Sequence, residues 1–217
     1  MFLLHHTDDQ RKISEFLYAH PKSLDEQIID EIARNRKVCK YLDLPIQHIN
    51  DRILKLMNRK VDRKRIEFLV KQLKKIKGIS LRTTVIAGFP TETDEEFNEL
   101  YNFLNERYFD WLGVFPYFRE PGTVAARLKQ LPGDVIEKRY KRLLRLQSKL
   151  IKEFSQKHLN RVYPVLIHHK GNTLIGHTRF QAPDIDGQVR VMSRTRGLGK
   201  IYKIKITKAY RGDLYGE

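Results

Sequence analysis

The stretch GISLRTTVIAGFPTETDEEF, residues 78–97, decides the fold of this chain. Its Val-Ile-Ala run at 85–87 is apolar and β-branched, which is typical of a parallel strand buried on both faces. Gly88-Phe89-Pro90 ends that strand, and Thr93 with Glu96 forms a capping box that predicts a helix start. The strand end, the turn and the helix start therefore lie together, where α/β sheets bind ligands. An ordinary βα connection is the alternative.

Charge and cysteine content limit the classes of partner and of metal site that the chain can have. The chain has 217 residues, with 42 Lys and Arg against 26 Asp and Glu, and a formal net charge of +16. Such an excess indicates a polyanionic partner, with nucleic acid or the ribosome as candidates. A single cysteine excludes an intramolecular disulfide and a cluster held by several thiolates of this chain. No apolar run reaches the roughly 20 residues of a membrane helix, so we expect a cytoplasmic protein.

Strands alternate with helices along the first two thirds of the chain. The predicted strands cover residues 16–21, 38–45, 85–87 and 111–117. This alternation predicts right-handed crossovers and a parallel sheet of four βα units. A long helix over about 135–157 closes the α/β part. Residues 1–15 show weak periodicity, and we leave them unassigned.

Beyond residue 158 the pattern changes to the two-residue period of short strands. YPVLIHH, TLIGHT, QVRVM and IYKIKIT, joined by Gly, Asn and Asp turns, predict a small all-β, OB-like barrel over residues 159–217. Arg190, Arg194, Arg196 and Lys200 fall on neighbouring strand and loop positions, with aromatic residues interleaved. Small barrels meet nucleic acid or nucleoprotein surfaces in this way, so we expect substrate or RNA docking here.

Candidate site residues also follow the second predicted strand. Gln47 and His48 stand at its carboxyl end, as Gly88 does at the end of its own strand, and they suit a nucleoside-like ligand. A histidine solvated in a loop is the alternative. Glu92 would accept a hydrogen bond from an amine or a ribose hydroxyl of the ligand. The alternative is that it only interacts favourably with the dipole at the helix N-terminus. Cys39 precedes an apolar strand, which indicates a buried structural residue. The histidines lack the spacing of a helical metal site, so we expect none.

Five motifs, taken in order, resemble a known family. They are LDLPIQHINDRILKLMNRK (42–60), the 78–97 stretch, VFPYFREPGTVAARL (114–128), APDIDG (182–187) and DLYGE (213–217). The set resembles the C-terminal part of the radical S-adenosylmethionine methylthiotransferases, most closely the RimO type, which methylthiolates an aspartate of a small-subunit ribosomal protein. The APDIDG segment favours the RimO type over the sister MiaB type, which modifies tRNA. The resemblance runs from about residue 16 to residue 217.

The resemblance implies a fold, a cofactor and partners. It implies a partial (β/α) barrel over residues 16–158, containing the last four βα units, and a TRAM domain over residues 159–217. The implied cofactor is S-adenosylmethionine. The residues that would flank or hold its adenosyl group are Gln47, Arg82, Gly88, Phe89, Pro90, Glu92 and Tyr117. The implied partner is a small-subunit ribosomal protein or the ribosome, or RNA as in the MiaB type.

The cysteines depart from the family pattern. Family members hold an iron–sulfur cluster on a CxxxCxxC loop and carry another cluster in a separate N-terminal domain, whereas Cys39 alone cannot supply three thiolates. We therefore expect a truncated or split enzyme that is inactive unless a missing N-terminal half chain joins it. A fragment of a tRNA methylthiotransferase and a non-catalytic TRAM module that binds RNA or the ribosome are the alternatives. An incomplete sheet would leave residues 16–21 as an exposed edge strand.

Overall fold

The computed structural model describes residues 2–8, 11–170, 173–192 and 197–217 of the chain. It consists of a five-stranded sheet covered by helices and a closed five-stranded barrel. In chain order the elements are β1 (Phe2–Asp8), β2 (Arg11–Leu17), α1 (Glu26–Arg34), β3 (Val38–Asp43), α2 (Asp51–Leu56), α3 (Arg63–Lys74), β4 (Ser80–Ala87), α4 (Asp94–Asn105), β5 (Trp111–Pro116), α5 (Gly133–His158), β6 (Val162–Lys170), β7 (Leu174–His177), β8 (Val189–Val191), β9 (Ile201–Tyr210) and β10 (Asp213–Gly216).

The sheet confirms the predicted partial barrel. Its strand order is β1-β2-β3-β4-β5, and β2 to β5 run parallel. β1 pairs antiparallel with β2, so the unassigned N-terminal residues contain two strands. The strand predicted at 16–21 is misplaced, because β2 ends at Leu17 and Tyr18 takes a positive φ of 55°, which interrupts a strand. The expectation that these residues form the sheet edge is also wrong, since β1 lies outside β2.

Residues 78–97 form the predicted strand, β4, and the start of the predicted helix, α4. The side chains of Leu81, Val85 and Ala87 are buried, whereas Arg82, Thr84 and Ile86 on the opposite face of β4 are only half-buried. Burial on both faces was therefore a wrong expectation for residues 85–87, because Ile86 on the second face is only half-buried. The capping box is confirmed: the Thr93 hydroxyl accepts from the Glu96 amide, and the Glu96 carboxylate accepts from the Thr93 amide at 2.8 Å.

The main core lies between the sheet and its helices. It joins apolar side chains of β3 and β4 to those of the helices, including Ile32, Leu69, Phe103 and Leu146. Burying each such side chain contributes roughly 1.5–3 kcal/mol. α5 confirms the predicted long helix, and its buried positions include Leu143, Leu146, Leu150 and Phe154. Within the described ranges, no helix is both long and apolar enough to span a bilayer.

The predicted all-β module is a closed barrel in the order β10-β8-β7-β6-β9. Ile204 and Ile206 are buried, while Lys203 and Lys205 face solvent, as the alternation predicted. The barrel packs against the beginning of the sheet strands through a second apolar cluster that contains Trp111. The indole Nε1 of Trp111 donates to the carbonyl of Phe180 at 3.1 Å. The module therefore packs against the amino edge of the sheet.

Candidate functional site

The carboxyl ends of β4 and β5 meet at one edge of the sheet, which we call the carboxyl edge, and the segment that follows β3 reaches toward it. Gln47 forms a parallel bridge with Val85, and the Tyr117 amide donates to the carbonyl of Ala87 at 2.8 Å. Gln47 adopts a positive φ of 68°. Such a conformation costs a non-glycine residue of order 1–3 kcal/mol and is concentrated at functional sites. The structure thus brings Gln47, the Gly88 turn and Tyr117 together, as the sequence predicted.

The aromatic pair at this edge contains an unpaired polar atom. The rings of Phe89 and Tyr117 meet edge to face, with centroids 5.5 Å apart. The hydroxyl of Tyr117 is buried and has no hydrogen-bond partner among the described residues. Leaving a buried hydroxyl unpaired costs about 1–3 kcal/mol. The edge therefore offers one hydrogen-bonding group to a molecule that is not part of the chain.

Gly88 is fixed by its conformation and by its neighbour α5. Its φ is +76°, which favours glycine, and an added Cβ would lie 2.8 Å from Ile136 Cγ1. Phe89 and Pro90 beside it are buried. The turn is thus held between the sheet and α5.

Glu92 braces the turn from the protein side. Its side chain is fully buried, and one carboxylate oxygen accepts from the Gly88 amide at 3.2 Å and from Arg139 Nη1 at 2.5 Å. The other oxygen lies 3.1 Å from His48 Nε2. Because the Asn50 amide donates to His48 Nδ1 at 3.0 Å, the neutral ring carries its proton on Nε2 and donates to Glu92. All these partners of Glu92 belong to the chain itself.

This brace corrects one expectation for His48 and contains Arg139, which the sequence did not indicate. His48 is completely buried, so the alternative of a histidine solvated in a loop is wrong. Its ring faces Glu92 and not the open part of the edge. Arg139 was missed by sequence reasoning, since it is one of many basic residues on α5. Its position on the buried side of that helix was the signal that could have identified it.

Arg82 lies away from the carboxyl edge. It precedes Gly88 by six positions on β4, which corresponds to roughly 20 Å along a strand. Its guanidinium contacts Asp43 Oδ1 at 3.4 Å, donates to Thr84 Oγ1 at 2.8 Å and pairs with Asp186 Oδ1 at 3.3 Å. The structure therefore does not bring Arg82 to the same place as Gln47, Gly88 and Tyr117.

Asp186 links the barrel module to the sheet. It belongs to the APDIDG segment, and its Oδ2 accepts from the Tyr41 hydroxyl at 2.7 Å and the Ala182 amide at 3.0 Å. We call Tyr41, Asp43, Arg82 and Asp186 the Asp186 cluster. Burial raises the pKa of Asp186 to about 6, against the lowering effect of its hydrogen bonds and of Arg82. Burial also raises the pKa of Tyr41 and of Asp43.

The described residues do not provide the ligands that an iron–sulfur cluster requires. Cys39 is buried in the second apolar cluster with Leu17 and Trp111, as its sequence environment indicated. Across the parts of the chain that the structure describes, no three His, Cys, Asp or Glu side chains form a group able to hold a metal. The residues present therefore supply no cluster site, and we derive no reaction step through one.

The predicted docking residues of the barrel module are only partly covered by the structure. Arg190 Nε donates to Asp213 Oδ2 at 3.0 Å and stays partly exposed. Lys200 is exposed. Arg194 and Arg196 lie outside the described residues. Docking of substrate or RNA at these four positions stays a prediction.

Two family models match the chain. The radical SAM superfamily matches residues 3–104, and the TRAM domain matches residues 161–217. The chain combines a radical SAM domain with a TRAM domain. The first match begins at residue 3, so it contains β2 and all of β1 but its first residue, and the resemblance extends further toward the N-terminus than the motifs indicated. The Asp186 cluster therefore joins the radical SAM domain to the TRAM domain.

Curated relatives confirm the resemblance to RimO-type methylthiotransferases. The chain is 41% identical over 213 residues to the ribosomal protein uS12 methylthiotransferase RimO of Caldicellulosiruptor saccharolyticus, covering 96% of this chain and 48% of that protein. It is 39% identical to the RimO of Alkaliphilus oremlandii, over 93% of this chain and 48% of the relative. It is 43% identical to the RimO of Clostridium kluyveri, over 92% of this chain and 46% of the relative. The chain thus spans about half the length of these relatives.

Proposed function

We propose that this chain is the C-terminal part of a RimO-like methylthiotransferase and that its substrate is ribosomal protein uS12, modified at an aspartate. The observation that carries the proposal is the similarity to proteins named uS12 methylthiotransferase, which extends across both domains at about 40% identity. The APDIDG segment adds support, because its Asp186 connects the TRAM domain to the sheet.

S-adenosylmethionine is the proposed ligand of the carboxyl edge. Gln47, Gly88, Phe89 and Pro90 would surround its adenosyl group, and the unpaired hydroxyl of Tyr117 would donate to it. Once bound, this ligand supplies the methyl group and the radical chemistry of the family. Glu92 holds the turn in place by accepting from the Gly88 amide, and Arg82 pairs with Asp186 at the domain junction. Neither side chain needs to touch the ligand for the site to keep its shape.

The chain alone is proposed to bind without catalysing the reaction. The described residues do not supply the thiolates that the radical-generating cluster requires. Activity therefore requires a polypeptide that carries them. The TRAM domain and the net charge of +16 favour RNA or the ribosome as the docking partner, and the names of the relatives point to ribosomal protein uS12. A ribosomal substrate would place the reaction in the cytoplasm.

Binding of the purified chain to uS12 tests the proposal. The chain is presented to immobilised uS12, to tRNA and to small-subunit ribosomal RNA at several salt concentrations. We expect specific capture of uS12, weakened several-fold in an Arg190→Gln/Lys200→Gln double variant. The matched control is Arg145→Gln, which removes an exposed arginine from α5. Binding to tRNA with no affinity for uS12 would favour the MiaB-type alternative and contradict the proposal.

A further inference from the structure

A cavity of about 420 Å³ lies where the radical SAM and TRAM domains meet. Its walls come from the residues just before and at the start of β4, the end of α5, the start of β6 and the loop after β7. It is therefore at the amino edge of the sheet, away from the Gly88 turn. Small-molecule sites typically have volumes of about 300–1,000 Å³. The cavity has the size of a ligand site and is separate from the proposed cofactor site at the carboxyl edge.

Aromatic side chains form much of the cavity wall. The rings of His158 and Phe180 stack with centroids 4.3 Å apart and an angle of 17° between their planes. Tyr163 meets both rings edge to face, at 5.2 and 4.9 Å. Phe154 packs beside them, with its centroid 4.4 Å from that of His158. Such a wall favours a flat, aromatic ligand.

Two residues that line the cavity carry buried polar atoms without partners. The residues Ser80 and His158 are 2% and 8% exposed, and neither Ser80 Oγ nor His158 Nε2 has a hydrogen-bond partner among the described residues. The other ring nitrogen of His158 is 2.7 Å from the Tyr163 hydroxyl. Burial lowers the pKa of His158 to about 4, so the ring is neutral at neutral pH. The hydroxyl and the neutral imidazole can each complete a hydrogen bond to the edge of a base.

The charged groups on the cavity wall are all cations. They are Lys157, Arg161 and Arg179. Lys157 pairs with Asp110, which neutralises it. Across the described ranges, no carboxylate forms an ion pair with Arg161 or Arg179. The two arginines are thus available to an anion.

We propose that this cavity binds a nucleotide. The aromatic wall receives the base, Ser80 and His158 hydrogen-bond its edge, and Arg161 and Arg179 bind its phosphate. The nucleotide is either a free mononucleotide or one residue of single-stranded RNA, since both present the same chemistry. The proposal does not depend on methylthiolation, because the cavity lies at the opposite edge of the sheet.

The fluorescence of Trp111 reports on the cavity. Trp111 is the only tryptophan of the chain, its ring lies 4.4 Å from that of Phe154, and it is hydrogen-bonded to Phe180. Adenosine 5′-monophosphate, adenosine, inorganic phosphate and a riboadenylate hexamer are titrated into the full chain, and equilibrium dialysis gives an independent affinity. The variants are Ser80→Ala and Arg161→Gln/Arg179→Gln, with Arg145→Gln as the control on α5. Thermal melting verifies that each variant is folded.

We expect the monophosphate or the hexamer to bind more tightly than phosphate alone. The double arginine variant should lose at least about tenfold in affinity and Ser80→Ala several-fold, with Arg145→Gln unchanged. Binding of the monophosphate identifies a free nucleotide as a ligand, and binding of the hexamer alone identifies RNA. Absence of binding by both, affinity equal to that of phosphate, or insensitivity to the arginine variant would overturn the proposal.

Discussion

Replacement of Asp186 by asparagine should change how the stability of the chain depends on pH. The buried carboxylate sits among Tyr41, Asp43 and Arg82 at the domain junction. Asparagine keeps the size of the side chain and an oxygen that accepts from Tyr41 and from the Ala182 amide. It removes the titratable group. The comparison of wild type with Asp186→Asn therefore measures the proton linkage of this position together with its coupling to Asp43.

The expected magnitude follows from the raised pKa of Asp186. The change from the ordinary 3.8 to about 6 is worth about 3 kcal/mol, at roughly 1.4 kcal/mol per pH unit. Between these values the folded state binds more protons than the unfolded state, so the contribution of Asp186 is fully present below about pH 4 and is lost as the pH rises through about 6. The free energy of unfolding of wild type minus that of Asp186→Asn should thus grow by about 3 kcal/mol from pH 7.5 to pH 4.

Urea unfolding at several pH values, followed through Trp111, measures this difference. His158 has the opposite linkage, because burial lowers its pKa to about 4 and its contribution is lost as the pH falls, but it is present in both proteins and cancels. Asp184→Asn is the matched control, since Asp184 is exposed in the same loop and its positive φ of 60° suits asparagine. A difference that stays flat with pH, or one that grows as the pH rises, would refute the proposed burial of Asp186.

Three further predictions concern the carboxyl edge. Arg139→Met should lower the free energy of unfolding by about 3–5 kcal/mol in urea titrations, because it leaves the Glu92 carboxylate buried without its cation, and a loss below 1 kcal/mol would contradict the brace. Gly88→Ala should destabilise by more than Gly122→Ala, by about 1–3 kcal/mol, because both have positive φ but only Gly88 faces Ile136, and equal losses would exclude the contact. Tyr117→Phe should weaken S-adenosylhomocysteine binding about tenfold by calorimetry without loss of stability, and unchanged affinity would remove Tyr117 from the site.

The parts of the fold carried by local patterns were predictable from the sequence. The turn after β4, the capping box of α4 and the alternation in β9 each depend on residues within a few positions of one another. The order of strands and helices then fixed the parallel sheet. The N-terminal strands were missed because residues 2–17 lack a clear period, and their pairing with each other and with β3 determines them.

The candidate site was predictable only where it follows strand ends. Gly88 and Tyr117 stand directly after parallel strands and Gln47 four residues after one, so their meeting at one edge followed from topology. The partners of Glu92 and Arg82 come from distant parts of the chain, Arg139 on α5 and Asp186 in the barrel module. No local period indicates which basic or acidic residue will be buried against which partner. Such pairs depend on packing between elements and therefore required the structure.

The most direct test of the central claim restores the missing thiolates and measures the modification of uS12. The N-terminal half of the RimO of Caldicellulosiruptor saccharolyticus is fused to this chain, the cluster is reconstituted anaerobically, and uS12 is analysed by peptide mass spectrometry after incubation with S-adenosylmethionine and a reductant. We expect a methylthio group on one aspartate with the fusion and none with this chain alone. Modification of tRNA and not of uS12 by the fusion, or modification of uS12 by this chain alone, would contradict it.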